Sequence, residues 1–416
     1  MREDLRIDAD RLFGRLESLA EIGAFEGADG ARGCARLALT DADKLGRDLV
    51  VAWMVDLGLD VRIDAIGNVF GIRAGRRDDL APVMTGSHID TVRTGGRFDG
   101  TLGVLAGLEV IETLDTHGIV TERPIAVAFF TDEEGARFAP DMLGSLVHVG
   151  GMPLEEALDV RGIDGARLGD ELDRIGYAGP WPVPAATPPA AFVELHVEQG
   201  PVLEAEGITI GAVTGVQGIS WQELTITGQS NHAGTTPTGL RHDPALVAAE
   251  IAVFVRRLAL EIDGQLGTVG LLDLHPNLVN VVAARAVMTV DLRNTDEGRL
   301  QHAEARLAAF VSERATAEGC TVSVRRLARF EPVRFDDRVV SLVERTAVRL
   351  GHSTRRLPSG AGHDAQMLAR VCPTGMVFTP SVRGISHNPA EYTEPADLEA
   401  GANVLLQVLV ELAERV

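Results

Sequence analysis

Between about residue 45 and residue 215, short solid apolar runs alternate with helically spaced ones. "LVVAWMVDLGLDV" predicts a helix running into a strand, and "APVMTG" (81–86) predicts a short buried strand. "TLGVLAGLEVIETL" (101–114) is apolar on nearly every side, as a helix packed into a sheet layer would be. "PIAVAFF" and "AFVELHV" lack the period-2 alternation of a half-exposed sheet. The economical prediction is a mainly parallel sheet covered on both faces.

From about 215 to 328 the pattern changes. "GISWQELTITG" predicts a strand with mixed faces. "DPALVAAEIAVFVRRLALEI" predicts a helix capped by Asp243, with Pro244 at its first position and Val247, Ile251, Phe254, Leu258 and Ile262 on one side. "GTVGLLDL" and "RAVMTVDLR" predict two strands, "DEGRLQHAEARLAAFVSERATAEG" a second helix, and "CTVSVRRL" a last strand. The order is βαββαβ. After 328 a helix (339–350), a Gly-rich loop "PSGAGHDA", a strand "GMVFTP" and a final helix from about Asp397 restore the α/β pattern. The expected architecture is an α/β domain, residues 1–214 and 329–416, interrupted by an inserted α+β domain, residues 215–328. "GPWPVPAATPPA" (179–190) predicts a Pro-rich surface connection acting as a spacer.

A chain of 416 residues is too long for one ordinary core, which agrees with two domains. A formal charge of −21 argues against nucleic acid or an anionic membrane as partner. No apolar run reaches membrane-spanning length, and "MREDLRIDAD" lacks the apolar stretch of a signal peptide. Cys34, Cys320 and Cys372 are odd in number and widely spaced, which fits reduced thiols and a cytoplasmic location.

Four of the predicted parallel strands end in metal-type residues. "VMTGSHID" supplies His88 and Asp90, and "AFFTDEEG" supplies Asp132, Glu133 and Glu134. "VELHVEQG" supplies His196 and Glu198, "MVFTPSVRGISHNP" supplies His387, and "GGRFDG" adds Asp99 before the buried helix. Ligands of open α/β sheets gather at the carboxyl ends of strands. Singly, each residue has a plainer reading: a loop histidine at the surface, Asp99 as a helix cap, an acidic run as a solvated face. Their recurrence at strand ends favours a site for Zn²⁺, Mn²⁺ or Co²⁺, and a shared carboxylate would make it a two-metal site. Dications would also offset the repulsion among the clustered acids. Along "VMTVDLR", Val287, Thr289, Asp291 and Arg293 share one strand face, so Arg293 is either a carboxylate clamp or a surface partner of Asp291.

"GSHIDTVRTGGRFDG", "TDEEGARF", "ELHVEQGP", "GQSNHAGTTP" and "GISHNPAEY" together resemble the zinc-dependent amidohydrolases of the M20 peptidase clan. Within the clan they resemble the branch of N-carbamoyl-L-amino-acid hydrolases, β-ureidopropionase-type enzymes and allantoate amidohydrolases. The resemblance runs from about residue 5 to the C-terminus. It implies two divalent ions (Zn, Mn or Co) held by His88, Asp99, Glu134, His196 and His387, with Asp99 bridging. It implies Glu133 as general base and Asp90 as the acid that orients His88, leaving Asp132 a structural role. Gln199, His232, Asn280 and Arg293 match substrate-side positions, and the inserted domain matches a lid and dimerisation domain. The implied reaction is attack of a metal-bridged hydroxide on the ureido carbon of an N-carbamoyl-L-amino acid. Allantoate or N-carbamoyl-β-alanine are the alternative substrates, and a peptidase or aminoacylase activity is less consistent with the motifs. "VVAAR" after Asn280 and Thr238 depart from the common pattern near the substrate side. A homodimer and a small ureido substrate with a carboxylate are the implied partners.

Overall fold

The computed structural model describes residues 5–27 and 30–415. Two compact units are present: Met1–Thr214 with Arg334–Val416, and Gly215–Val333.

The first unit is built on a nine-stranded sheet. Across its centre the order is Ile210–Val216, Thr374–Thr379, Ala191–Val197, Val83–His88, Ile125–Phe130, Val69–Arg73 and Asp60–Ile63. The four strands from Thr374–Thr379 to Ile125–Phe130 are mutually parallel, and antiparallel neighbours flank them on both sides. All four parallel strands are buried along their whole length, which is why they lack the polar alternation of a half-exposed sheet. They are also the four that lead into metal-type residues, so parallel pairing brings those residues to one edge of the sheet.

Thr101–Thr116 is the helix expected from its all-round apolar surface. One charged residue is hidden within it: Glu109 is fully buried, paired with Arg11 at 2.6 Å and Arg15 at 3.5 Å. Asp337–Arg349 and Pro395–Ala413 are the two later helices, the last starting two residues before Asp397.

In the second unit, Gly218–Thr227, Leu266–His275, Arg285–Asn294 and Thr321–Phe330 form an antiparallel sheet. Its spatial order is second, third, first, fourth, with the helices Pro244–Glu261 and Glu297–Glu318 between strands in sequence. Asp243 caps the first helix by accepting the N–H groups of Ala245 and Leu246. Arg285–Asn294 alternates strictly, with Met288, Val290 and Leu292 buried and Val287, Thr289, Asp291 and Arg293 partly exposed. Phe254 and Phe310 stack at 4.0 Å between the two helices. The last strand stays paired with the first as far as Phe330 opposite Ile219. A boundary at 328/329 would therefore cut a strand, and the units divide at 333/334 instead.

Candidate metal centre

Sheet topology delivers His88 as the last residue of its strand, and His196 as the penultimate residue of the neighbouring parallel strand. Between them in sequence, "FDG" turns the chain into the buried helix. Asp99 is not the helix cap: Gly100 occupies that position, and the Asp99 side chain is directed at the histidines. Gly100 has φ +66°, and a Cβ there would stand 2.4 Å from the His88 ring. Only glycine allows the helix to start that close to the imidazole.

The two oxygens of Asp99 face different groups. Oδ1 lies 3.6 Å from His88 Nε2 and 3.2 Å from His196 Nε2. Oδ2 lies 3.4 Å from His387 Nε2, whose ring nitrogen is also 3.2 Å from Glu134 Oε2. Two donor trios result, His88–Asp99–His196 and Asp99–Glu134–His387, each with its ligand atoms within 4.8 Å of one another. Imidazole and carboxylate donors in this ratio suit a borderline dication. A third trio, Glu194–His196–His363, is less available. The Glu194 carboxylate already accepts from Ser87 Oγ and the Ala365 N–H, and His363 Nε2 sits 2.8 Å from Ser359 Oγ.

The electrostatics favour positive charge at this centre. Burial works against a charged His88, but Glu133, Asp99, Asp90 and Glu134 outweigh it and hold its pKa well above the ordinary histidine value. Hydrogen bonding to Asp99 and Glu134 pushes His387 up to about 10. Burial opposes the Asp99 carboxylate, yet hydrogen bonds with His196, His387 and His88 bring it well below the usual range. The cluster is thus built to retain positive charge, which protons or metal ions can supply.

Glu133 sits beside this centre, with Oε2 3.3 Å from His88 Nε2. Burial, then the charges of Asp364, Glu134 and Asp99, push its carboxyl well above the usual range despite the opposing effect of His88. Asp90 supports it in a way the motif does not foretell. The His88 Nδ1 partner is the Asp90 backbone oxygen at 2.9 Å, while the nearest Asp90 carboxylate oxygen is 3.9 Å away. That carboxylate instead receives the backbone N–H groups of Glu133 and Glu134 at 3.3 and 3.4 Å. Asp132 turns the chain with φ +55°, and its buried carboxyl is driven well above the usual range by desolvation.

Gln199 joins the centre, its amide donating to Asp99 Oδ2 at 2.9 Å. Glu198 does not; its carboxylate receives the N–H groups of Val202 and Leu203 and so ends the strand with a short helix. His232, Asn280 and Arg293 lie in the second unit. His232 Nδ1 accepts from the Gly234 and Thr235 amides at 3.1 and 3.2 Å, which leaves the ring proton on Nε2. His232 pairs with Val281 in a two-residue ladder, and Ala233 donates to the Asn280 backbone oxygen, so the two segments are held side by side. Arg293 pairs with Asp291 through Nε at 3.1 and 3.0 Å and through Nη2 at 2.9 Å.

Several supports carry no motif signal. Glu391 accepts the Phe98 and Asp99 N–H groups and stands 3.3 Å from Ser386 Oγ, which also contacts Asp99. Burial and the nearby Asp99 raise Glu391 to about 7. Arg47 and Asp43 form a fully buried pair at 2.7 Å on the helix Asp41–Asp56. Arg47 reaches on to Thr131 Oγ1 at 3.2 Å, at the root of the Glu133 turn. Replacing Arg47 with leucine would leave Asp43 buried and uncompensated, so a loss of about 3–5 kcal/mol is expected in denaturant unfolding. A change below about 1 kcal/mol would mean that the pair contributes little.

Residues 84–411 match the family model of peptidase family M20/M25/M40. The chain is 44% identical over 413 residues to an N-carbamoyl-L-amino-acid amidohydrolase of Rhizobium meliloti, covering 99% of this chain and 98% of that protein. It is 35% identical over 401 residues to the allantoate amidohydrolase of Bacillus subtilis strain 168, covering 96% of each. A solved amidase of the hydantoinase/carbamoylase family from Burkholderia multivorans has a TM-score of 0.95 at 47% identity, with 99% of each chain covered.

Proposed function

This chain belongs to peptidase family M20/M25/M40, and from that premise we propose that it hydrolyses the ureido C–N bond of N-carbamoyl-L-amino acids. The products would be the amino acid, ammonia and carbon dioxide. The observation that carries the reading is the division of Asp99 between two donor trios, with Glu133 beside them. A protein that only binds metal needs the ligands but has no use for a buried carboxyl group next to them.

Two divalent ions, zinc, manganese or cobalt, would be held by His88, Asp99 and His196 and by Asp99, Glu134 and His387. When bound, such ions polarise a carbonyl oxygen and bring the pKa of water near neutrality. Glu133 takes a proton from the attacking water and returns it to the leaving nitrogen. Asp90 holds the Glu133–Glu134 backbone so that base and ligand point apart. Gln199 orients Asp99 and the substrate. His232, with its proton on Nε2, is a donor suited to the oxyanion that develops at the ureido carbon. Arg293, oriented by Asp291, and the Asn280 amide bind the substrate carboxylate.

The second unit would serve as lid and dimerisation domain. Its edge strand Leu266–His275 leaves Leu266, Leu271 and Leu272 about half exposed, as a strand paired in a homodimer would. Among the described residues no helix is long and apolar enough to cross a membrane. The free, buried Cys34, Cys320 and Cys372 support a reducing, cytoplasmic location for the enzyme.

The test is ammonia release from a panel of N-carbamoyl amino acids, N-carbamoyl-β-alanine, allantoate and N-acetyl amino acids, with Mn²⁺, Co²⁺ or Zn²⁺ added. Turnover of no ureido compound by metal-loaded protein would sink the proposal. The similarity to an allantoate amidohydrolase makes allantoate the second candidate, and its preferential turnover would replace the first. Arg293→Ala should raise KM about 10–100-fold while kcat moves by only a few-fold, because a lost charge-assisted bond to a spectator carboxylate weakens ground and transition states alike. An equal fall in kcat would place Arg293 at the reacting group instead.

A further inference from the structure

The Pro-rich connection, residues 179–190, crosses one face of the main sheet as a pinned strap. Trp181 exchanges hydrogen bonds with Ile63 and Ala65, the Ala185 N–H donates to the His148 oxygen at 3.0 Å, and the Ala190 N–H donates to the Pro82 oxygen at 2.8 Å. Pro180, Pro182, Pro184, Pro188 and Pro189 restrict the backbone of the strap, which bends at residues 183–184 and 186–187 between those points. Beneath it lies a cavity of about 370 Å³, inside the size range of small-molecule sites. Ile72, Met84 and Ala126 from three adjacent strands line it, together with the rings of Phe70 and Trp181, 5.4 Å apart.

One buried polar group also lines it. His148 is 5% exposed and lies tilted on Phe70 at 5.0 Å. Its Nδ1 makes no hydrogen bond among the described residues, and Asp64 Oδ2 lies 3.5 Å from it. Asp64 is itself fixed by the Ile66 and Asn68 N–H groups and the Asn68 side chain. Placing the ring proton on Nδ1, the nitrogen nearer the Asp64 carboxylate, leaves Nε2 as an acceptor. The charged residues around the cavity are already matched: Arg62 with Asp60 and the Trp181 ring, Asp79 with Arg77, Asp78 with the Gly75 N–H. A ligand here meets apolar walls, the edges of an aromatic pair set at 60° and one acceptor, while Arg62 and Asp79 keep their own ion-pair partners.

The cavity is tied to the Glu133 turn. The helix Leu143–His148 ends at the cavity and begins on that turn. Met142, Leu143 and Gly144 donate to the backbone oxygens of Glu133, Asp132 and Thr131 at 2.7, 3.2 and 2.8 Å. A second link runs from Asp64 through Asn68, whose Oδ1 accepts the Thr131 N–H at 2.9 Å.

We infer that the cavity under the strap binds a small, flat, neutral aromatic molecule carrying an N–H or O–H donor, apart from the metal centre, and that its occupancy acts on the Glu133 turn through the Leu143–His148 helix. Apolar contact with Ile72, Met84 and Ala126 and with the Phe70 and Trp181 ring edges supplies affinity, and the donor to His148 Nε2 supplies selectivity.

The probe is indole, with 1-methylindole as the analogue lacking the donor, titrated calorimetrically into the metal-loaded full chain. Indole should bind saturably and about tenfold more tightly than 1-methylindole. Ala126→Phe, which fills the cavity, should abolish binding, and His148→Phe should erase the preference for indole. Saturating indole should alter kcat on the best ureido substrate in the wild-type chain. The calorimetric arm is independent of the proposed reaction, so its failure is distinguishable from failure of that reading. Absence of saturable binding, equal affinity for the two indoles, or binding that survives both substitutions would overturn the site. Binding without any change in kcat would overturn the coupling. The His148→Phe comparison decides the matter even where Ala126→Phe fails to fold.

Discussion

Glu133→Gln is expected to lower kcat about 10³-fold, within the range set by loss of a positioned general base, while metal content and KM stay close to those of the unaltered chain. The substitution preserves volume and leaves the backbone of the turn intact. The Glu133 N–H still donates to Asp90, and the Glu133 oxygen still accepts from Met142 at 2.7 Å. Only the capacity to take and return a proton is removed. Metal analysis is the discriminating measurement, because Glu134, the next residue along, belongs to one of the two trios that could hold a metal. If Glu133→Gln loses metal along with activity, Glu133 is a ligand and the assignment of base and ligand within the pair is wrong. If activity survives within about tenfold, the proton is moved by another group.

How much of this was legible in the sequence depends on the kind of interaction. The parallel strands are legible because burial on both faces removes the polar alternation of a half-exposed sheet: Ile125–Phe130 is wholly apolar, and Ala191–Val197 is apolar except for Glu194 and His196. The two capped helices and the alternating strand Arg285–Asn294 of the second unit are legible for the same local reasons. The metal-type residues stand out because strands that are otherwise apolar end in imidazole and carboxylate groups. Their grouping around Asp99 is a property of strand order, which composition does not encode, and it was the joint resemblance of five motifs that named the set.

The positioning groups are where sequence reasoning stops. Glu391 lies nearly three hundred residues from the Asp99 amide it holds, as the separation of 292 records, and no local pattern links them. Asp90 is conspicuous in "SHID", but its carboxylate serves the Glu133 and Glu134 amides, while the backbone oxygen orients His88. Taken alone, Asp99 reads as a helix cap, and only the resemblance made it the shared ligand; Gly100 takes the cap position and frees the side chain. Glu198 sits among candidate ligands in "HVEQG" yet is consumed by two backbone amides. The Pro-rich connection reads as a spacer, and its pinning at Trp181, Ala185 and Ala190 becomes visible only with the partners on the sheet in place.

Asp99→Ala should be the most damaging single change at the metal centre, because Asp99 is the one side chain shared by both trios around it. His387→Ala removes a ligand from one trio and leaves His88 and His196 with their common carboxylate. Asp99→Ala removes the anion that faces all three imidazoles at once. Loss of a group that only orients a ligand costs about 10–100-fold in metal affinity, so removal of a shared ligand should cost more, on the order of 10³-fold or greater in activity. Protons sharpen the test. Without metal His387 holds its proton up to about 10, and His88 is likewise raised, so metal uptake near neutral pH must expel protons. Falling pH therefore favours metal loss from the unaltered chain. Dialysis against a chelator between about pH 6 and pH 8, followed by elemental analysis, should show retention rising with pH for the unaltered chain. Asp99→Ala should show little metal at any pH in that window, since the counter-charge that organises the imidazoles is gone. Retention of two ions per chain by Asp99→Ala would mean that the trios are filled independently, and that the division of its two oxygens is an accident of side-chain packing.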